Sequence, residues 1–337
     1  MIPYHPPKTM ERIPLIDFSD ARSPRLEDRI ALARRVREAC IDVGFFYLCN
    51  HGIAPADLEA QLEWTRRVFR LPRATLEAVS VEKSNCMHGY AGMGTQVLDA
   101  DTPPDLKESF YIGVHMDEDH PHVKAGLPNC GPNQWPDLPG FREHCEKYFQ
   151  SMSDLSRDVL RVIALSLELD ERWFDPITGV TNSILRLLRY PPHPANARAN
   201  QLGAGAHADW GGITLLLQDQ SGGLEVRNAA GDWIRAEPVP GSLVVNLGNM
   251  MQRWTNDLYL SNMHRVLNNV SGGDRHSAAF FFNPDYYCRV ECLPTCTGPG
   301  NPPRYPPVRY GDYLMHRLNK NYDYRKPEGE APRASAG

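Results

Sequence analysis

The second half of this 337-residue chain is a succession of short apolar runs separated by turn residues. From about residue 181 onward the runs are ILRLLRY, ITLLLQD, GLEVRN, DWIRAEP, LVVNLGN, RVLNN and SAAFFFNP. Between two of them, NAAGD at 228–232 is typical of a β-hairpin turn. Many short strands at this spacing are typical of a sandwich, jelly roll or barrel. The second half is therefore predicted to form a β-core.

The first half carries a helical pattern. After a short predicted strand at 13–20, apolar residues recur at helical spacing, and a second amphipathic helix is predicted over 55–70. GFFYLCNHGI at 44–53 is short, aromatic and bounded by glycines, which indicates a buried strand. Residues 84–136 are predicted to be mostly loop, with DLKESFYIG as the most strand-like part, and the longest helical pattern runs from 139 to 169. These helices are expected to pack against the β-core, which gives an α+β fold that is mainly β.

Composition argues against several classes of protein. The formal net charge is −5 at pH 7, and no basic run suggests a nucleic-acid partner. No apolar stretch approaches the roughly 20 residues of a membrane helix, and the amino end lacks the apolar region of a secretory signal. The 8 cysteines form no CxxC pair, so they are expected to be reduced, semi-buried thiols. A soluble, cytoplasmic chain is expected, and nothing in the sequence indicates an oligomeric state.

Two metal-capable side chains stand at the mouth of one predicted strand. In GAHADWGGITLLLQD, His207 and Asp209 are at i and i+2, so both would project from one face of a strand. The simpler interpretation is that these two residues are a polar pair on the surface at the start of a strand. His264, at the start of another β-type run, could add a third ligand. Two imidazoles and a carboxylate suit the facial site of non-haem Fe(II) oxygenases, although ligand type alone leaves zinc open.

A second pair of residues suggests an anion site. In DRHSAAFFFNP, Arg275 and Ser277 are again at i and i+2, in a strand otherwise rich in Ala and Phe. A buried Arg is costly unless a carboxylate pairs with it, and a guanidinium beside a hydroxyl suits a carboxylate. Tyr190, in LRLLRYPP, could reach the same anion. The alternative is that Arg275 pairs with an internal Asp or Glu.

The order of these motifs resembles that of one enzyme family. HxD at 207–209, His264 and RxS at 275–277 are similar to the motifs of 2-oxoglutarate and Fe(II)-dependent dioxygenases of the isopenicillin N synthase-like superfamily. IPLIDFSD, GFFYLCNHGI, GYAGMGTQ, PPDLKESFYIG and GPNQWPDLPGF resemble its amino-terminal region. LRLLRYPP, HADWGGITLLLQDQSGGLEV and SNMHRVLNN resemble its catalytic part. The resemblance covers nearly the whole chain, and the ordered set is specific although each piece alone is not.

The resemblance implies a site that uses Fe(II), 2-oxoglutarate as cosubstrate and dioxygen. The implied residues are, for the metal, His207, Asp209 and His264, and for the distal carboxylate of 2-oxoglutarate, Arg275, Ser277 and Tyr190. Two positions depart from the pattern of many relatives. Leu188 stands where an Asn contacts the cosubstrate near the metal, so another group or water must substitute. Asn249 replaces Asp in NLGN, a change expected to be structural.

The resemblance also implies a fold and a division of the chain. The implied fold is a double-stranded β-helix, or distorted jelly roll, flanked by helices. The predicted division is an amino-terminal dioxygenase region at 1–135, a long packing helix and linker at 136–180, the β-core at 181–290, a carboxyl-terminal segment with a helix at 291–324 and a disordered tail at 325–337.

The implied reaction couples oxidative decarboxylation of 2-oxoglutarate to hydroxylation, desaturation or cyclisation of a small organic molecule. The aromatic content favours a moderately apolar substrate, such as a natural-product or hormone-like acid. No acid–base residue is required. Residues expected near the substrate are Gln96, Tyr111, Trp210 and Phe282, whereas histidines expected on the surface or in loops are His51, His88, His115, His193, His276 and His316.

Two other functions stay open on the sequence. Oxidases of the isopenicillin N synthase type share the triad and RxS but bind the carboxylate of the substrate there and consume no 2-oxoglutarate. A non-catalytic binding protein could reuse the fold, but it would be expected to lack the triad or the anion clamp, and both are present here.

Overall fold

The computed structural model describes residues 2, 6–95, 103–193, 201–269 and 272–321. Its helices are α1 (Leu26–Asp42), α2 (Pro55–Phe69), α3 (Arg73–Ala78), α4 (Pro121–Lys124), α5 (Phe141–Ser166), α6 (Asn249–Trp254) and α7 (Tyr310–Asn321). Its strands are β1 (Leu15–Asp17), β2 (Phe45–Cys49), β3 (Gly89–Ala91), β4 (Glu108–Gly113), β5 (Ile184–Tyr190), β6 (Ala204–His207), β7 (Ile213–Gln218), β8 (Leu224–Arg227), β9 (Trp233–Arg235), β10 (Leu243–Leu247), β11 (His264–Val266), β12 (Arg275–Phe282), β13 (Arg289–Val290) and β14 (Val308–Arg309).

Two sheets form the β-core. The larger has the order β1-β2-β10-β7-β12-β5-β4-β3, and the smaller has the order β6-β11-β8-β9. Apart from the parallel pair of β1 with β2, the strand pairs in these sheets are antiparallel. One cluster of buried apolar side chains contains residues of both sheets, including Tyr47, Leu188, Val226 and Val266. The sheets therefore face each other across a shared interior, as in a jelly roll.

The outer face of the larger sheet is covered by helices. Along β10, Leu243 and Val245 belong to the cluster shared with α1, α2 and α5, whereas Val244 between them belongs to the interior between the sheets. This alternation follows from the period of two in a strand. On β12, Phe280 lies on the helix side, where its ring meets that of Phe149 of α5 edge-on at 4.9 Å. The predicted β-core flanked by helices is confirmed.

Most predicted elements are present, with boundaries shifted by a few residues. The helices predicted over 55–70 and 139–169 are α2 and α5, and NAAGD forms the turn between β8 and β9. The stretch predicted as mostly loop contains, besides the anticipated β4, the edge strand β3 and the short helix α4. The predicted division of the chain stays a prediction, and its tail at 325–337 lies outside the residues that the structure describes.

The histidine and cysteine predictions have different outcomes. His276 lies on β12 and is buried, so its expected surface or loop position is wrong; its backbone N–H donates to Asp219, which holds it inside. His51 and His88 lie in loops but are buried. All 8 cysteines are free, as expected. In the part of the chain that the structure describes, no helix has both the length and the apolar character of a membrane span.

Replacing Phe280 with Ala tests the packing of α5 on the larger sheet. Because the ring is fully buried, Phe280→Ala is expected to lower the free energy of unfolding by about 3–5 kcal/mol. Leu15→Ala, at a side chain that is 57% exposed, should change it by less than about 0.5 kcal/mol. Urea unfolding followed by circular dichroism measures both. Equal losses in the two variants would contradict this packing.

Candidate active site

Strand pairing brings the two predicted imidazole ligands together. His207 is the last residue of β6 and His264 the first of β11, and the two residues are directly paired in the small sheet. Their ring centroids are 4.3 Å apart. Asp209 lies two residues beyond His207 and outside the strand, so the turn after β6, rather than strand alternation, aims its carboxylate at the rings.

The ligand atoms of these residues converge on one point. Asp209 Oδ1 is 3.8 Å from His207 Nε2 and 3.7 Å from His264 Nε2, and all three atoms lie within 4.8 Å of one another. His207 Nδ1 is 2.8 Å from the carbonyl of Gly205, and His264 Nδ1 is 3.4 Å from that of Asn262. A proton on each Nδ1 leaves the Nε2 lone pairs free for a metal. No other set of three such side chains converges among the residues that the structure describes.

Hydrogen bonds fix which oxygen of Asp209 faces the imidazoles. Its Oδ2 accepts from Thr214 Oγ1 and from Asn246 Nδ2, each at 2.6 Å. Oδ1 is therefore the oxygen left for a metal. Three ligands on one side leave the opposite side open, which suits a metal that also binds small ligands.

Burial and neighbouring charges set the protonation of these groups. Burial, together with the adjacent His264, lowers the pKa of His207 to about 3. Burial raises the pKa of Asp209, but the two imidazoles and the bonds from Thr214 and Asn246 outweigh it, so that the pKa lies below its usual value. At neutral pH the pair is a neutral imidazole and a carboxylate, the forms that bind metals.

Hydrogen bonds hold the turn that carries Asp209 against the start of α6. Asn249 N donates to the carbonyl of Asp209 at 2.8 Å, and Met250 N donates to that of Gly211 at 3.0 Å. A Cβ on Gly248 would lie 2.3 Å from the oxygen of Gly211, so this close approach requires glycine. The side chain of Asn249 bonds to Tyr313 and Ser261. That residue therefore has the structural role expected for it.

Arg275, Ser277 and Tyr190 come together on the inner side of the larger sheet. Arg275 is 2% exposed, its Nε donates to the carbonyl of Gly222 at 2.6 Å, and its guanidinium lies 4.7 Å from the ring centre of Tyr190. Its Nη1 is 3.4 Å from Ser277 Oγ. No carboxylate within the described ranges forms an ion pair with Arg275. The alternative of an internal acidic partner therefore finds no support in these ranges.

The triad and the Arg275 group line one inner cavity. Thr214 bonds to Asp209 near the start of β7, and Gln218 lies 3.4 Å from Arg275 at the end of the same strand. Four residues of strand put these positions about 13 Å apart. The remaining walls include Phe45, Lys107, Arg186, Leu188, Leu224, Val266 and Phe281. Lys107 and Arg186 were missed by sequence reasoning, although Lys107 stands between two acidic residues before the strand-like FYIG.

An outer cavity adjoins the inner one and shares Arg186, His207, Asp209 and Phe281 with it. Its other walls are Met87, Tyr111, Asn129, Ile184, Trp210, Gly211, Asn283, Tyr310, Leu314 and Leu318. Tyr111 and Trp210, both expected near the substrate, thus line a cavity beside the candidate metal ligands.

Two of the residues expected near the substrate are not found in this cavity. Strand alternation turns Phe281 of β12 towards the cavity and Phe282 towards the helices. The predicted position of Phe282 near the substrate is therefore wrong, and Phe282 is a core residue. Gln96 lies outside the residues that the structure describes.

Comparisons with known proteins agree with this geometry. Residues 13–138 match a family model described as the non-haem dioxygenase in morphine synthesis N-terminal region, and residues 181–284 match the 2OG-Fe(II) oxygenase superfamily. The chain is 39% identical to the 2-oxoglutarate-Fe(II) type oxidoreductase hxnY of Emericella nidulans over 95% of both chains. It is 34% identical to azadirone synthase LFS of Melia azedarach, over 89% of this chain and 91% of that protein.

Solved structures give the same result. A full-length Neurospora crassa protein, crystallised in complex with alpha-KG and thymine, superposes with a TM-score of 0.81 at 32% identity, covering 91% of this chain and 96% of that one. A putative 2OG-Fe(II) oxygenase family protein from Caulobacter crescentus superposes with a TM-score of 0.80 at 31% identity, covering 92% and 99%. Together with the His-Asp-His cluster in a jelly-roll interior, these matches show that the chain belongs to the 2OG-Fe(II) oxygenase superfamily, whose enzymes use iron and 2-oxoglutarate.

Proposed function

We propose that this chain is a dioxygenase that binds Fe(II) through His207, Asp209 and His264 and oxidises a small organic molecule at the expense of 2-oxoglutarate. The observation that carries the proposal is the buried guanidinium of Arg275. It has no acidic partner among the described residues, and it lies in the same cavity as the three candidate ligands. A buried cation of this kind is stabilised by an anionic ligand.

The side chains that line the inner cavity have separate roles in holding the cosubstrate. Arg275 is fixed by its bond to Gly222, so its remaining N–H groups, together with the hydroxyl of Ser277, can bind the distal carboxylate. Tyr190 packs its ring on the guanidinium and limits its movement. Leu188 and other apolar walls restrict water in the cavity.

Bound iron would supply the activation of dioxygen, with 2-oxoglutarate converted to succinate and carbon dioxide. One oxygen atom of dioxygen enters succinate, and in a hydroxylation the other enters the product. No general acid or base is assigned, since none is demanded by this stoichiometry. Hydroxylation, desaturation and cyclisation are the three outcomes that the proposal covers.

The outer cavity is proposed as the site of the primary substrate. Its aromatic and aliphatic walls favour an apolar molecule, and the polar side chains of Arg186 and Asn283 suit a substrate that also carries an oxygen-bearing group. Thymine, with which the similar Neurospora crassa protein was crystallised, is likewise a small molecule that carries carbonyl oxygens, although it is more polar. Relatives such as azadirone synthase support a place in secondary metabolism.

We further propose a cytoplasmic location and a small-molecule substrate rather than a nucleic acid or membrane partner. The 8 free cysteines support a reducing compartment. The net charge of −5 does not favour binding to a polyanion.

Succinate formation tests the reaction class. With Fe(II), 2-oxoglutarate, oxygen and a panel of apolar carbonyl compounds, a compound that is consumed should yield one succinate per dioxygen. His207→Ala should abolish succinate, because it removes a metal ligand, whereas His193→Ala, at an exposed histidine, should leave it unchanged. Removing the metal with a chelator should stop the reaction and Fe(II) should restore it. Substrate turnover without succinate would instead favour the oxidase of isopenicillin N synthase type.

Replacing Arg275 tests the anion clamp. Arg275→Met is expected to weaken binding of 2-oxoglutarate by roughly 30-fold or more, because a buried carboxylate loses its charged partner. Calorimetry on protein loaded with Mn(II), in place of Fe(II), measures this affinity. Arg289→Met removes an exposed Arg paired with Glu291 and is the matched control. If the affinity of Arg275→Met for 2-oxoglutarate stays within about threefold of wild type, Arg275 does not bind the cosubstrate.

A further inference from the structure

Lys107 is a buried cation in the inner cavity, and the proposed function gives it no role. Its side chain lies just before β4, is 4% exposed and lines the cavity together with His207 and Arg275. Burying an ammonium group is costly unless it is paired and hydrogen-bonded. Its Nζ lies 2.5 Å from Asp105 Oδ2, which is itself buried. This single pairing leaves two of the three N–H bonds of the ammonium for other acceptors.

Asp105 ties this ammonium to the metal end of the cavity. The second carboxylate oxygen, Oδ1, accepts from Gly205 N at 2.9 Å. The carbonyl of the same Gly205 is the partner of His207 Nδ1. Lys107 is thus connected through Asp105 and one backbone residue of β6 to a candidate metal ligand. Arg275, by contrast, is held at the other end of β7, by Gly222 and Gln218.

Besides Lys107, this wall of the cavity carries the apolar Leu188 and a second cation, Arg186, two of whose nitrogens already donate to Ser109. Leu188 lines the cavity, and it pairs with Ser109 of β4. An apolar side chain there donates no hydrogen bond. A dianion that spans the cavity would therefore meet Arg275 at one end and Lys107 at the other.

On the basis of the proposed function, we propose that Lys107 binds the carboxylate at the keto-acid end of 2-oxoglutarate, with Asp105 as its positioning residue. This assigns the group that takes the place of an amide donor at Leu188. It also gives each carboxylate of the cosubstrate its own buried cation. Burial lowers the pKa of Lys107 to about 8 although Asp105 opposes the shift, so the side chain remains mostly protonated at neutral pH.

Two ligands that differ only at the distal end provide the test. 2-Oxopentanoate keeps the keto-acid end of 2-oxoglutarate and has a methyl group in place of the distal carboxylate. Calorimetry with protein loaded with Mn(II) should show that Lys107→Met weakens both ligands by a similar factor, roughly 10- to 100-fold. Arg275→Met should weaken 2-oxoglutarate alone. Lys107→Arg should recover most of the loss.

The controls separate binding from folding and from the proposed function. Arg29→Met removes a structural ion pair with Glu171, at 3.0 Å, and should leave both affinities unchanged. Should Lys107→Met fail to fold, Lys107→Gln replaces it, and the energy of the anaerobic Fe(II)–2-oxoglutarate absorption band should shift in that variant. Unchanged affinities and an unshifted band in a folded variant, or loss of 2-oxoglutarate binding only, would overturn the assignment. Failure of the wild-type protein to bind 2-oxoglutarate would instead refute the proposed function.

Discussion

The antiparallel pairing of β6 with β11 is the interaction on which the site depends. It sets His264 directly opposite His207, and β11 is held on its other side by β8. Both imidazoles are thus fixed by the ladder of the small sheet rather than by a mobile loop. Asp209 joins them from a turn that is bonded to the first residues of α6. A metal at this point would link two strands and a turn, so its binding should also stabilise the fold.

The larger sheet gives the cavity its length and its polarity. Along β7, Thr214 supports the carboxylate at the metal end and Gln218 contacts the guanidinium at the other end. The neighbouring strand β12 places Arg275 and Ser277 inside because its alternate residues belong to the helix-covered core. One strand register therefore determines both the packing of Phe280 on α5 and the position of the anion clamp.

The sequence predicted the parts of this site that follow from local spacing and motif order. His207, His264, Arg275 and Ser277 could be found because each lies on a strand, and Asp209 because it follows His207 in the HxD motif. The strand period of two, continued from Arg275 and Ser277, places Phe281 rather than Phe282 on the inner face of β12. Lys107 could not be found in this way, since its position depends on Asp105 meeting β6, about 100 residues away. The burial of His276 likewise depends on Asp219 from another strand.

We propose that one cavity holds Fe(II) at one end and the distal carboxylate of 2-oxoglutarate at the other. The most direct measurement is the visible spectrum of the protein without oxygen, as Fe(II) and 2-oxoglutarate are added separately and together. A charge-transfer band that develops only with both present, and that is absent in His207→Ala, is the predicted result. No band in the wild-type protein, or the same band in His207→Ala, would contradict it.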